Sequence, residues 1–460
     1  MNTILKLWCC VVVTAQLFCF SCGTSGKKYL NAAEEASAWI SSTGVIQNDR
    51  VFFPSQPDTM KRGEISLYYG VPGPVLFYLE LYKATGKEQY KRQALSAANW
   101  LIEQAHSDSA GYYWTDVTIR GTPYPDPGLY TGTAGVGTAF LELGKMFNDS
   151  LHWKYARGAA DWLTAHKIKE KQGADWNGSN DIISGAAGTG LFLIRASKIL
   201  GNPAYLETAK DAGDFLISRS ISDPPGVKWG ASADTSRLYP NFSHGTSGIA
   251  YFLAVLYQAT HEERYLKAAV EGANWLIAHK EVSAGEGDAW YHHEPDGKNL
   301  YYVGWCHGPA GTGRLFYQLF LVTGDSTYFS ILKETARWLI TCGIPDKLLP
   351  GFWNVSVCCG NAGIADFFAD MYRLTGNKLY RDWAVKIADD LLNKASPSKP
   401  GLKWIQAENR TRPNEVYAQT GYSQGAAGIG ILLLKMYAYS YDIPPFIPLT
   451  LPDSPFFIEK

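Results

Sequence analysis

Seven times along this 460-residue chain a Gly-x-x-Gly pair is followed by an apolar run, at Gly70/Gly73, Gly132/Gly135, Gly185/Gly188, Gly245/Gly248, Gly308/Gly311, Gly360/Gly363 and Gly425/Gly428. One signature recurring at wide, regular spacing means a repeat architecture rather than a string of unrelated domains. Each unit is longer than most solenoid repeats and leaves room for two helices and a loop. The run after each motif is apolar almost all round at helical spacing, as in Ile249 to Tyr257, which marks a buried helix. A second segment in the unit starts on an aromatic, places small residues three and four apart and ends on an apolar pair. Tyr90 to Leu101, Tyr155 to Leu163, Tyr205 to Leu216 and Tyr265 to Leu276 are examples. Charges fill its other positions, so it reads as an outer helix with one wet face.

The order of these segments separates an open stack from a closed ring. The first amphipathic helix, roughly residues 30–40, precedes the first glycine motif, and the last motif at Gly425 has no amphipathic partner after it. An open stack would leave both end helices bare and would need polar caps. Closure lets the first outer helix cover the last inner one. The expected fold is therefore all-α, an α/α-toroid of seven inner and seven outer helices in one domain over residues 30–440, although length alone would allow two or three domains. The paired glycines let the inner helices approach their neighbours at the crowded centre. Helix N-termini also aim backbone N–H groups at whatever lies there.

The ends read differently. After Lys6 the chain is mostly apolar from Leu7 to Phe20, too short for a spanning helix, so residues 1–21 read as a signal peptide. Cys22, followed by Gly23-Thr24-Ser25-Gly26, reads as the lipidated first residue of an exported, membrane-anchored lipoprotein, periplasmic or at the cell surface. Ordinary signal cleavage nearby is the alternative. Residues 22–29 are then a tether, and the proline-rich residues 441–460 a surface extension. A net charge of −1 with no basic stripe gives no footprint for nucleic acid. Membrane contact is expected only through the lipid. Aromatics make up 14% of the chain, more than the core requires, so some are expected to line a cavity.

Removing Cys9, Cys10 and Cys19 with the signal and capping Cys22 leaves Cys306, Cys342, Cys358 and Cys359. In an exported protein an even number suggests disulfides. Cys342 lies near the end of an outer helix, remote from the others, and reads as a buried free thiol. Cys306, Cys358 and Cys359 all open inner helices and converge when the repeats are aligned. A disulfide among three leaves one odd, and one between neighbours is strained. Three convergent thiolates with an open fourth position match a catalytic zinc site. His307 is a possible fourth ligand.

The seven units, with Trp305-Cys306-His307-Gly308 and Cys358-Cys359-Gly360, resemble the lanthionine synthetase C-like (LanC-like) family across nearly all of the mature chain. The resemblance implies an α/α-toroid with one zinc at its centre. It also implies addition of a zinc-held thiol to the β-carbon of a dehydroalanine or dehydrobutyrine residue, forming a thioether. Eukaryotic members are linked to glutathione addition onto such residues. Position by position, it implies Cys306 and Cys358 as zinc ligands, Cys359 in the place of the usual histidine, His244 as catalytic histidine and Asp181 as catalytic aspartate. Two departures stand out: Tyr302 replaces an arginine of the bacterial cyclases, and His307 replaces a tyrosine, as in eukaryotic-type members. His307 is kept with His244 and Asp181 as a catalytic candidate.

The chemistry agrees with this on its own terms. Zinc holds a thiol as thiolate at neutral pH, which a free cysteine with pKa about 8.5 achieves poorly. The enolate formed on addition needs an acid, for which His244 is the natural candidate, with Asp181 orienting it. The expected substrate is a dehydrated peptide or small-molecule thiol, and the protein is expected to be a monomer. Two competing readings are an exported carbohydrate-active enzyme, with Asp175, Asp181 and Asp366 as available carboxylates, and a zinc-binding lipoprotein without catalysis, favoured by Tyr302.

Overall fold

Every apolar run that follows a glycine pair is a buried helix, and every aromatic-led segment is a helix packed outside it. The computed structural model describes residues 22–281, 286–346 and 351–456, so the signal segment 1–21 lies outside the described residues. The helices alternate outer and inner along the chain. They are α1 (Cys22–Ser42), α2 (Pro72–Thr85), α3 (Glu88–Glu103), α4 (Thr133–Phe147), α5 (Ser150–Ala165), α6 (Ala186–Leu200) and α7 (Pro203–Ser218). There follow α8 (Thr246–Thr260), α9 (Glu263–Ala278), α10 (Pro309–Thr323), α11 (Ser326–Thr341), α12 (Asn361–Thr375), α13 (Lys378–Asn393) and α14 (Ala426–Tyr439). Four outer helices, α5, α7, α11 and α13, open on side-chain caps, as where Asp149 Oδ1 accepts from His152 N and Asn202 Oδ1 from Ala204 N. Most inner helices stop on a left-handed residue, such as Gly324 at φ 70°. Among the described residues no helix is long and apolar enough to cross a membrane.

The ring closes as expected. Each inner helix packs against the inner helices on either side, α14 returns to α2, and α1 covers α14. Closure is also written in the backbone. Tyr68 N donates to Tyr130 O, Tyr130 N to Ile183 O, Ile182 N to Ser243 O and Ser243 N to Cys306 O. Cys306 N then donates to Cys358 O, Cys358 N to Ser423 O and Ser423 N to Tyr68 O. These seven hydrogen bonds, 2.9–3.2 Å long, run once around the toroid just ahead of the inner-helix N-termini. They leave few backbone polar groups unpaired at the crowded centre.

The glycines serve this closure in a way narrower than expected. A Cβ on Gly248 would lie 1.9 Å from Phe242 O, and one on Gly311 1.9 Å from Trp305 O. The close approach is chiefly that of the unit's own loop, folded back on the first turn of its helix.

Five of the tryptophans staple the repeats. Trp114, Trp176, Trp229, Trp290 and Trp404 each donate the indole N–H to the backbone carbonyl of Leu101, Leu163, Leu216, Leu276 and Leu391, at 2.7–2.8 Å. Each one seals the loop after an outer helix against that helix's last turn.

Both chain ends correct the sequence reading. The stretch expected to be a tether is the first two turns of α1, because the outer side of α14 stays apolar to its end and must be covered. Gly26 is buried there, close against Ser440. The proline-rich tail is a surface extension only in its first part, with Ile443 and Ile447 exposed, and not from Leu449 onward. It crosses the base of the ring, burying Leu449, Leu451 and Asp453. There Leu449 N donates to Glu80 Oε2 at 2.8 Å, Arg195 Nη1 donates to Thr450 O at 2.6 Å, and Phe456 stacks on Tyr317.

Candidate metal centre

The residues directly before each first glycine end the loop that leads into an inner helix, so all seven pairs meet at one end of the ring. Cys306 and Cys358 stand two residues before their glycines, and Cys359 and His244 one residue before theirs. The structure brings the three sulfurs together. Cys306 Sγ lies 3.3 Å from Cys359 Sγ, which lies 3.5 Å from Cys358 Sγ. All three are buried and unbonded to one another. Four-coordinate zinc with bonds near 2.3 Å sets its sulfurs roughly 3.8 Å apart, so a small expansion of this trio would fit the ion. Cys342 sits apart at the C-terminal end of α11, buried and free, its thiol donating to Leu339 O at 3.3 Å. Among the described residues the ligand atoms close enough together to share a metal are those of the three cysteines, and His307 lies outside that cluster.

Burial pushes the Cys306 and Cys358 thiols well up. Hydrogen bonds shared with the other two thiols hold Cys359 well down. Three convergent thiols make a soft-metal donor set. Tyr68 and Gln424 complete its surroundings. The Tyr68 hydroxyl donates to Cys358 Sγ at 3.0 Å, while Gln424 Nε2 reaches Tyr68 Oη at 2.9 Å and Cys359 Sγ at 3.7 Å. Neither is in the sequence-derived set, yet both carry its signal: Tyr68 holds the position of Cys306 and Cys358 in the first unit, and Gln424 that of Cys359 in the last.

Beside the sulfurs, His244 Nδ1 is 2.5 Å from Asp181 Oδ2. The other carboxylate oxygen, Asp181 Oδ1, accepts from Ser184 N at 2.9 Å and Gly185 N at 3.0 Å. Asp181 therefore caps its own turn and fixes the imidazole with the same side chain. Burial acts to lower the His244 pKa, but the charge and hydrogen bond of Asp181, aided by Cys359, outweigh it and raise it. With Nδ1 held, Nε2 is the atom left to exchange a proton.

The remaining wall is aromatic. His307 lies 5.6 Å, ring to ring, from His244 and 4.3 Å from His292, which is itself 4.3 Å from Tyr302. Tyr239 is 5.4 Å from His307. Burial drives His307 well below the ordinary histidine range, and its Nδ1 is buried without a partner. Burial, with the Cys359 and Cys306 charges, moves Tyr302 up to about 12. His292 and His293, from an irregular loop, carry no repeat signal.

The three carboxylates of the carbohydrate reading do not face one cavity. Asp366 pairs with Lys435 at 2.5 Å, in a buried cluster with Arg314 and Asp370, and Asp175 accepts from Gly178 N at 2.5 Å in its own loop.

The sequence model of the lanthionine synthetase C-like proteins matches residues 62–449. The chain belongs to the lanthionine synthetase C-like family. This LanC-like protein is similar to the lacticin 481/lactococcin biosynthesis protein LcnDR2 of Lactococcus lactis subsp. lactis, at 23% identity over 283 residues. That match takes in 62% of this chain and 26% of the relative, so the chain matches only about a quarter of that longer protein. Among solved structures nisin cyclase superposes with a TM-score of 0.62 at 14% identity, over 91% of this chain and 96% of the other. At that identity the likeness is one of fold, and it agrees with the closed ring described above.

Proposed function

We propose that this LanC-like protein adds a thiol to the β-carbon of a dehydroalanine or dehydrobutyrine residue, with zinc held by Cys306, Cys358 and Cys359. The observation that carries this reading is the pairing, at one end of the ring, of three buried convergent thiols with an Asp181–His244 dyad. Zinc, held by these three sulfurs, would supply the acidity that ionises an entering thiol near neutral pH.

The chain's own groups do the rest. Tyr68 and Gln424 hold the ligand sulfurs in place by hydrogen bonds. His244, oriented through Nδ1 and kept protonated by Asp181, donates from Nε2 to the α-carbon of the enolate that forms when sulfur adds. Asp181 stabilises the resulting ring tautomer. His307, uncharged, lines the approach.

The test pairs zinc-loaded protein with a thiol and a dehydroalanine peptide, read by mass gain. His244→Ala should keep metal and fold and lose about 10²–10⁴-fold in rate. No acceleration over the uncatalysed addition, for several thiols and peptides, would leave a zinc-binding lipoprotein without this chemistry.

We also infer export and lipid attachment at Cys22. The start of α1 lies against the C-terminal end of α14, so an anchored molecule would turn its metal end away from the membrane. Mass spectrometry of the mature N-terminus tests this, and an unmodified terminus elsewhere would refute it.

A further inference from the structure

The aromatic wall contains a chain of hydrogen bonds leading away from the metal centre. His292 Nδ1 lies 2.7 Å from His293 Nδ1, and His293 Nε2 lies 2.9 Å from Asp296 Oδ1. The direction follows from the partners. Asp296 is an acceptor, so His293 donates through Nε2–H and accepts at Nδ1. His292 must then donate through Nδ1–H, which leaves Nε2 as a bare lone pair. The inner end of the chain, His292, is stacked on His307 and packs at a tilt against Tyr302. The outer end, Asp296, has a side chain 69% exposed.

The loop holds these rings with unusual care. His292 N donates to Leu300 O at 2.7 Å, and the buried Asn241 donates from Nδ2 to His292 O at 2.8 Å. A Cβ on Gly297 would fall 2.1 Å from His293 Nδ1, so only glycine lets the backbone close over that ring. Such fixing is what a proton path needs and what a solvated loop does not.

Building on the proposed thiol addition, we propose that His292, His293 and Asp296 form a relay that takes the proton of the entering thiol and delivers it to solvent. The S–H bond breaks and its proton joins His292 Nε2. The Nδ1 proton of His292 moves to His293 Nδ1, and the Nε2 proton of His293 moves to Asp296 and on to water. One proton leaves the thiol and one reaches solvent, no electrons change owner, and exchange with water restores both tautomers. This separates two proton jobs: His244 supplies the proton to carbon while His292 removes the one from sulfur. Burial, with His293, Arg410, Arg237 and His244 facing it, holds His292 down to about 3, so it hands the proton on to His293 in the same step and does not rest as an imidazolium. His307 and Tyr302 also face it. A test at one fixed pH keeps all of these in one state.

The experiment varies the thiol. His292→Phe keeps the stacked ring and removes both nitrogens, and Asp296→Asn changes an exposed side chain. Zinc content and melting temperature should match the parent for both. With a thiol whose pKa lies well above the assay pH, His292→Phe should be slower by about 10²-fold and Asp296→Asn slower by a smaller factor. With a thiol already ionised at that pH, both should run at the parent rate. An equal loss for both kinds of thiol, or no loss for either, overturns the relay while leaving the thiol addition standing. A parent protein inert toward every thiol overturns the underlying reaction, and the relay with it.

Discussion

Trp305 donates its indole N–H to Asp453 Oδ2 at 2.9 Å, tying the residue before the first metal-site cysteine to the C-terminal tail 148 positions along the chain. Arg314 reaches the same carboxylate at 3.3 Å, with side chains 8% and 1% exposed. The tail is thereby the floor of the ring. Removing Asp453 takes one of two carboxylates from the buried Arg314, which keeps Asp366 at 3.7 Å. It also leaves the Trp305 indole N–H without its acceptor. The cost is about 3 kcal/mol, the lower end for breaking a buried pair. Asp453→Ala should lose stability on that scale, and Asp453→Asn less. Denaturant titration measures it, and an unchanged midpoint in Asp453→Ala would show the tail to be dispensable.

Metal content gives the second prediction. Purified protein should carry about one zinc per chain, and Cys306→Ala, Cys358→Ala or Cys359→Ala should lose it because each removes a third of the donor set. Cys342→Ala, altering a thiol outside the trio, should retain it. Elemental analysis of the four variants decides. A stoichiometric disulfide in place of metal would remove the site.

The ring and the sulfur trio are legible in the sequence because both are written in the repeat. Seven glycine pairs set the helix count, and placing Cys306, Cys358 and Cys359 on the same loop ends predicts that they meet. Asp181 and His244 need the family resemblance, since one aspartate and one histidine carry no periodic signal, and it is their 2.5 Å contact that joins them. The tail misleads because proline-rich composition says nothing about what its few apolar and charged residues touch. Leu449 and Asp453 become core only against groups on α2 and α10. The tryptophan staples lie in plain view, most of them thirteen residues after their leucine partners. The pattern emerges only when irregular loops are aligned. His292 and His293 sit in such a loop with no counterpart in other units.

Crowding and backbone conformation make separable demands on glycine, which gives a third prediction. Gly248 must stay small because Phe242 O lies where its Cβ would be, whereas Gly324 has φ 70° and open space around it. Ala at Gly324 should cost about 1 kcal/mol, the penalty for a left-handed residue. Ala at Gly248 has to move backbone at the start of an inner helix and should cost about 3 kcal/mol, the upper range for overpacking. Equal losses in thermal or denaturant unfolding would mean that the loop yields more easily than the ring of backbone bonds implies.

The last prediction concerns pH. His244 has a pKa raised above its ordinary value because the Asp181 charge and hydrogen bond, with help from Cys359, outweigh the depressing effect of burial. The proton-donating form is therefore complete below the ordinary histidine value and is lost as pH rises through the raised one. The rate limited by protonation at carbon should fall on the alkaline side with a midpoint above 6.5. Asp181→Asn removes the larger of the influences that oppose burial and leaves only Cys359, so the same limb should move to lower pH with the metal still bound. The rate profile of both proteins, taken with a thiol already ionised across the range, isolates this step. A midpoint that stays put in Asp181→Asn would assign the alkaline limb to a group other than His244.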